Sequence, residues 1–210
     1  MTTATMDPQD LYRGRKGKVD FVDVPELGYL VIDGRGAPDE TEGPFQRAIQ
    51  TLFKASYAAH FGVRKTRGEA PRVMPIEALW WVEGPDPADF DDAAPEAWRW
   101  RAQIMQPPPI DREVVAGALR QLEAKDVPGL ADLRYELWEE GRCAQTLHVG
   151  PYDAEGPAIA ALHQAICRAG CHPRGRHHEI YLGDPRRSAP ERLRTLIRQP
   201  VETDEENDHG

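Results

Sequence analysis

The stretch RTLIRQP, residues 194–200, repeats much of RAQIMQP, residues 101–107, because arginine, isoleucine, glutamine and proline stand at the same offsets in both. The strand predicted before each stretch also ends alike, in GPDP or in GDP. Around both stretches the hydrophobic pattern predicts the order strand, helix, strand, strand. We therefore predict an α+β fold of duplicated βαββ modules, whose antiparallel sheets are related by a pseudo-twofold axis. These sheets should form a concave cleft, with the helices on the opposite face.

The repeat divides the 210-residue chain into one domain with two ends. We expect a flexible N-terminal segment over 1–17 and a single domain over 18–201. Module one should cover about 18–110 and module two about 130–201. The tail 202–210 has five acidic residues among nine and too little apolar matter to fold, so we expect it to be disordered.

In module one, the β-rich runs 18–24 and 27–33 predict either a hairpin or a bent strand. Apolar residues at helical spacing predict a helix over 44–61 that ends at Gly62. Further strands are predicted over 76–83 and 98–106. Between the two is the acidic, turn-rich connection 84–96.

A helix over 112–124, with Asp111 as its N-cap, is predicted to link the modules. In module two, residues 133–149 predict a hairpin that turns at Glu140-Gly141. The helix should cover 153–169, and the last strands should cover 177–182 and 195–201.

Composition narrows the classes of function. The net charge of −9 argues against a direct nucleic-acid surface, which needs clustered lysine and arginine. No apolar run is long enough for a membrane helix, and the start of the chain lacks the features of a signal peptide. Three cysteines are an odd number and do not suggest a disulfide framework, so we expect a cytoplasmic protein. The oligomeric state stays open.

The segment HHEIYLGDPRR, residues 177–187, contains the main candidate for chemistry. In a strand, His177, Glu179 and Tyr181 share one face, and Ile180 lies on the other. If the apolar face meets the helix, Glu179 and Tyr181 face the cleft. Burial would then raise the pKa of Glu179 toward that of a general base. The alternative is that Glu179 lies on a wet sheet face.

Aromatic residues are concentrated in the predicted strands, although they make up only 8% of the chain. This concentration suggests a pocket wall, with Trp80, Trp81 and Trp100 as candidate ligand contacts. Trp80 and Trp81 are adjacent in one strand and must face opposite ways. From the repeat we favour Trp81 as the residue opposite Glu179.

The segment CAQTLHVGPY, residues 143–152, adds two candidates. His148 could shuttle protons, or it could be a hydrogen-bonded bystander. The hydroxyl of Tyr152 could reach a ligand, or it could cap the turn before the helix. Cysteines and histidines over 167–178 lack the paired spacing of a zinc site, and no cofactor-binding motif is present. We expect neither a metal nor a cofactor.

Several motifs together resemble the GyrI-like small-molecule-binding family. They are YLVIDGRG (29–36), the tryptophan pair of EALWWVEGPD (77–86), the W-x-W strand ending in QP (98–107), EGRCAQTLHVGPYDAEGPAIAALH (140–163) and HHEIYLGDPRRSAPERLRTLIRQPV (177–201). The resemblance implies two βαββ modules that form a cleft. The same fold serves as the effector-binding domain of multidrug-sensing regulators. Some members hydrolyse the strained cyclopropane of DNA-alkylating natural products.

The resemblance implies that Glu179 is the acid of the cleft, with Trp81, Tyr152 and Tyr181 as further candidates. Tyr57, in the helix, also matches a family tyrosine. We expect the cleft to bind planar aromatic or hydrophobic small molecules and to hydrolyse electrophilic cyclopropanes. The alternatives are a module that binds or sequesters drugs without turnover, and an interaction protein like the gyrase inhibitor that named the family. No helix-turn-helix precedes the domain, so we expect no direct binding to DNA.

Overall fold

The fold is mixed α+β, as predicted from the sequence. In a computed structural model, the chain is described over residues 7–38, 42–84, 94–125 and 127–203. These residues contain the strands β1 (Val19–Arg35), β2 (Ile76–Trp81), β3 (Arg99–Met105), β4 (Arg134–Val149), β5 (Cys171–Pro173), β6 (His177–Tyr181) and β7 (Arg194–Thr203). Their helices are α1 (Pro44–Arg67), α2 (Arg112–Glu123) and α3 (Gly156–Arg168).

The chain separates into two compact units. The middle unit is Glu26–Glu139, and the terminal unit combines Met1–Pro25 with Glu140–Gly210. The boundaries therefore fall inside the long strands β1 and β4, not in the connection between the predicted modules.

In the middle unit, β3 pairs antiparallel with both β1 and β2. The register places Trp100 opposite Trp80, so the two indoles share one face of the sheet. Phe45, in the first turn of α1, packs on both, with ring centroids 5.0 Å from Trp80 and 5.1 Å from Trp100. Helix α1 is thereby fixed on that face.

In the terminal unit, β7 pairs antiparallel with β4, β6 and β5. Helix α3 covers one face, where Leu162 and Ile166 form a buried cluster with Ala144, Ile197 and Val201. In this unit β7 lies between the long strand β4 and β6. In the middle unit β3 lies in the same way between the long strand β1 and β2. The duplication, the pseudo-twofold axis and the concave cleft stay predictions.

The other face of β7 is covered by the N-terminal segment, residues 7–16. Leu11 is only 2% exposed. Its carbonyl accepts a hydrogen bond of 2.6 Å from Arg198 Nη2. A Cβ on Gly14 would lie 2.4 Å from Leu196 Cδ1, so the backbone comes close to the sheet there. Leu11 and the backbone at Gly14 are therefore packed on the sheet, while most side chains of the segment are exposed, and the flexibility expected for 1–17 stays a prediction.

The expected hairpin at Glu140-Gly141 is wrong, because β4 runs unbroken through both residues. Gly141 adopts a φ of 73° within the strand. A Cβ there would lie 2.8 Å from Arg174 Nη2, the atom that donates to the carbonyl of Glu140. The glycine thus makes room for a guanidinium, and its positive φ does not reverse the chain.

Two predicted ends also differ from the structure. Helix α1 passes through Gly62 and ends at Arg67, followed by Gly68, whose φ of 81° and N–H bond to the Arg64 carbonyl form the C-cap. Strand β7 continues to Thr203, so Glu202 and Thr203 belong to the sheet. The rest of the predicted tail, and residues 85–93 of the acidic connection, lie outside the described residues. Residues 19–35 form one continuous strand, in agreement with the bent-strand alternative.

No helix among the described residues is both long and apolar enough to cross a membrane.

Candidate functional site

Glu179 lies on the face of β6 that helix α3 covers. Across the strand pair it stands opposite Ile197, which packs in the cluster with Leu162 and Ile166. The expectation that Ile180 meets the helix is therefore wrong. Ile180 stands opposite Leu196, on the face that the N-terminal segment closes. Because both faces of β6 are buried, the position of an apolar residue does not show which face the helix covers.

Two side chains of the same strand hold the Glu179 carboxylate. The Tyr181 hydroxyl donates to Oε2 at 2.6 Å, and His177 Nε2 lies 3.2 Å from Oε1. The Glu179 side chain is 15% exposed, so its carboxylate is mostly removed from water. Tyr181 and Glu179, which the sequence places on one face of the strand, are thus in direct contact.

The pKa of Glu179 is lowered, against the expectation from sequence. Burial alone would raise it, but the hydrogen bonds from His177 and Tyr181 and the charge of His177 outweigh burial. Glu179 is therefore a stable negative charge near neutral pH, and it is a weaker base than we expected.

Tyr152 borders this carboxylate at the start of α3. It begins the 3-10 turn Tyr152–Ala154, and its ring meets that of Tyr181 edge-on, with centroids 5.6 Å apart. Burial, followed by the charges of Glu155 and Glu179, raises the pKa of Tyr152 to about 12. The hydroxyl consequently keeps its proton and can donate a hydrogen bond. About 40% of the residue is exposed.

Sequence reasoning missed a second carboxyl group, that of Glu155. The residue is the N-cap of α3 but makes no side-chain capping bond, and it is only 4% exposed. Burial and the charge of Glu179 raise the pKa of Glu155 to about 8, while the neighbouring Thr195 hydroxyl acts in the opposite direction. A glutamate at a helix N-terminus is common, so no local pattern shows that this one is buried. We call Glu155, Tyr152, His177, Glu179 and Tyr181 the Glu179 cluster.

His148 stabilises the turn that leads to Tyr152. Its Nε2 lies 3.0 Å from the carbonyl oxygen of Pro151. A carbonyl can only accept, so Nε2 donates in this contact. This geometry agrees with the bystander alternative, in which His148 supports the backbone before α3.

The tryptophan candidates and Tyr57 belong to the middle unit. Trp80 and Trp100 are buried against Phe45 in its core, so we leave them out of the site proposed below. Trp81 is partly exposed on the other face of β2. Tyr57 is 50% exposed on α1. Contact of Trp81 or Tyr57 with a ligand stays a prediction.

The strand registers do not make Trp81 the counterpart of Glu179 in the other module of the repeat. Ala102 and Thr195 occupy the same offset of the repeated stretch, and their cross-strand partners are Ala78 and Tyr181. The counterpart of Tyr181 is therefore Ala78, and the counterpart of Glu179 lies two residues earlier, at position 76.

Metal ligands are not grouped in the part of the chain that the structure describes. No three histidine, cysteine, aspartate or glutamate side chains of these residues come together as a metal site would require. In the same part of the chain, Cys143 and Cys171 are buried free thiols, and Cys167 is exposed.

Comparison with known proteins finds one matching family model and several similar structures. The model of the GyrI-like small molecule binding domain matches residues 115–202. Three similar structures come from Listeria innocua, and each covers 92% of this chain and 96% of its own. An uncharacterized conserved protein is 33% identical with a TM-score of 0.81. A hydrolase encoded by lin2189 is 32% identical with a TM-score of 0.77. Another protein described as a hydrolase is 30% identical with a TM-score of 0.75.

No curated protein sequence matches this chain. The similarity to the three Listeria innocua structures nevertheless covers nearly the whole chain, and the family model matches the stretch 115–202, which contains Glu179. The chain belongs to the GyrI-like small-molecule-binding family.

Proposed function

We propose that this chain binds planar aromatic or hydrophobic small molecules at the Glu179 cluster, and that it hydrolyses electrophilic cyclopropanes by adding water. The observation that carries the proposal is the Glu179 carboxylate, which is 15% exposed and held by Tyr181 and His177. A carboxylate removed from water loses hydration energy, and a ligand that brings a positive charge or a donor restores part of it.

The aromatic rings supply the other part of binding. Tyr152 and Tyr181 meet edge-on beside the carboxylate, and the exposed part of Tyr152 offers an apolar surface to a flat ligand. Its hydroxyl, which keeps its proton, can donate to an oxygen of that ligand. Both recognition groups are fixed by secondary structure, since Tyr181 ends β6 and Tyr152 opens the turn before α3.

Hydrolysis is supported by the two relatives described as hydrolases, which are 30% and 32% identical to this chain. In a cyclopropane conjugated to a carbonyl, the oxygen of water bonds to a ring carbon, and the strained carbon–carbon bond breaks. The electron pair of that bond moves to the carbonyl oxygen. Glu179 takes the proton that water loses, and Tyr152 donates a hydrogen bond to the oxygen where negative charge develops.

A second candidate function is binding without turnover. It is favoured by the lowered pKa of Glu179, because a weaker base removes the proton of water less effectively. In that case Glu179 is a recognition charge for cationic aromatic compounds, and the protein sequesters its ligand.

Mass spectrometry separates the two functions. A DNA alkylator that carries a spirocyclopropane is incubated with the wild type, with Glu179→Gln and with the surface control Glu191→Gln. Hydrolysis predicts a product heavier by one water with the wild type and the control, and little product with Glu179→Gln. Unchanged alkylator in all three, with binding to the wild type still measured by calorimetric titration, would leave binding alone. Unchanged alkylator without measurable binding would contradict both functions.

A further inference from the structure

Glu155 is a buried carboxyl group with an oxygen that has no hydrogen-bond partner. Its Oε1 is inaccessible and has no hydrogen-bond partner, and the neighbouring Thr195 hydroxyl, which favours the anion, does not outweigh burial and the charge of Glu179. A buried carboxylate without donors is strongly disfavoured, whereas the neutral acid tolerates burial. The proposed functions assign no role to this group.

The two carboxyl groups of the cluster have different surroundings. Glu179 is stabilised as an anion by two hydrogen bonds, from Tyr181 and His177. Glu155 faces the charge of Glu179 and lacks equivalent donors on Oε1. Two carboxyl groups that share a site in this way divide into one charged and one neutral group. Glu155 therefore keeps its proton beside the negative charge of Glu179.

A cationic ligand at Glu179 changes this balance. Its positive charge compensates the negative charge of Glu179, which removes the charge repulsion against a second anion, while the cost of burial remains. Glu155 then loses its proton more readily, and the ionised Glu155 attracts the cation in turn. By linkage, the ligand releases the proton, and loss of the proton strengthens binding of the ligand.

We propose that Glu155 is a positioning residue that makes the Glu179 cluster specific for cationic over neutral aromatic ligands, by exchanging its proton for the charge of the ligand. This inference rests on the proposed small-molecule binding at Glu179. Since Glu155 is only 4% exposed, we place it behind Glu179, through which it acts on the ligand. The pKa of Glu155, raised to about 8, places the exchange near neutral pH.

Other titratable groups face the same cluster and must be separated from Glu155. His177 and His178 act on Glu179, and Asp184 acts on Tyr152. His148 contacts the backbone at Pro151, just before the helix. Any proton released by these groups persists in Glu155→Gln, whereas the proton of Glu155 does not. That variant therefore isolates the contribution of Glu155.

The test is calorimetric titration with proflavine, a planar aromatic cation, and with acridine, which is neutral in this range. Each is measured from about pH 6.5 to about pH 8.5 in two buffers with different ionisation enthalpies, which counts the protons released. In the wild type, the affinity for proflavine should rise with pH by up to about tenfold per pH unit, with release of up to one proton. The affinity for acridine should not change.

Glu155→Gln should bind proflavine with an affinity that varies little with pH, and the proton release should be lost. Asp153→Asn, which removes an exposed carboxylate from the same turn, should behave like the wild type. If the wild type binds proflavine with no proton release, or if Glu155→Gln keeps the full pH dependence, the exchange is refuted while small-molecule binding stands. If neither compound binds the wild type, the proposed function fails and this inference with it.

A measurement of stability checks that Glu155→Gln keeps the fold. The wild type should lose stability as pH rises from about 4.5 through about 8, because folded Glu155 holds a proton that the unfolded chain releases. The amide imitates the neutral acid, so the variant should fold and should lack this loss. A variant that unfolds at every pH would show that Glu155 acts in folding, and would overturn the exchange.

Discussion

Arg198 is a charged side chain that is almost completely buried, and its bonds explain how the sheet tolerates it. Its guanidinium donates to Gln145 Oε1 at 2.9 Å, to Glu140 Oε2 at 3.1 Å and to the carbonyl of Leu11 at 2.6 Å. His178 Nδ1 completes the group, 2.8 Å from Glu140 Oε1. Burial would raise the pKa of Glu140, but the charges and hydrogen bonds of His178 and Arg198 lower it to about 2.

Removal of the Glu140 charge should therefore strongly destabilise the protein. Glu140→Gln leaves Arg198 buried without its anion, and breaking such a pair costs about 3–5 kcal/mol. Denaturant unfolding at neutral pH should show this loss, and Glu139→Gln, at an exposed neighbour, should unfold like the wild type.

The pH dependence of stability provides a second check on Glu140. Its folded pKa lies below the ordinary value, so its stabilising contribution is present above about pH 4.5 and is lost as pH falls toward about 2. The wild type should lose more stability over this interval than Glu140→Gln. Parallel curves for the two proteins would mean that the buried pair does not stabilise the fold.

At the scale of elements, the function of a glycine depends on what surrounds it. Gly34 lies against Trp100, and a Cβ there would come within 2.2 Å of the ring atom Cζ2. Gly62, inside α1, has no neighbouring atom within 4 Å of a built Cβ. Gly34 therefore permits the close packing of β1 on Trp100, whereas Gly62 only weakens its helix.

Alanine at these two positions should have opposite effects. Gly34→Ala forces Trp100 or the strand to move and should cost about 1–3 kcal/mol. Gly62→Ala should stabilise by about 0.5–1 kcal/mol, since alanine restricts the unfolded chain and favours the helix. Thermal unfolding of both variants measures the difference. A stabilising Gly34→Ala would contradict the packing described for Trp100.

The sequence predicted those elements whose signal is local. The spacing of apolar residues predicted α1 and α3, and Asp111 predicted the start of α2, which it caps by accepting a hydrogen bond from the Val114 N–H. Errors arose where the partner is distant in sequence. Gly141 could be taken for a turn because Arg174, which fills the space beside it, lies on another segment. Burial of Glu155 likewise depends on β6 and β7, which no local pattern reveals.

At the scale of the whole molecule, the N-terminal segment is part of the fold. Composition gave no sign of this, because residues 1–17 are mostly polar and only Leu11 becomes a buried apolar anchor among those described. The fold class and the family, in contrast, could be predicted from the repeat and from motifs that extend over most of the chain. The orientation of Glu179 relative to α3 could not, because the N-terminal segment buries the face that a two-layer sheet would leave open.

Truncation of Leu11 tests the contribution of this segment. Leu11→Ala should cost about 2–4 kcal/mol, as expected for a buried leucine. Leu137→Ala is the matched control, since that leucine is 55% exposed, and its cost should be much smaller. If both variants show equally small losses in denaturant unfolding, the N-terminal segment does not contribute to the stability of the fold.

The most direct test of the central claim is the equilibrium affinity of wild type and Glu179→Gln for proflavine at neutral pH. If Glu179 is the recognition charge, loss of its hydrogen-bonded, mostly buried carboxylate should weaken binding about 10- to 100-fold, while the folded state is retained. Glu191→Gln should bind like the wild type. Equal affinity of Glu179→Gln and wild type would contradict a small-molecule site centred on Glu179.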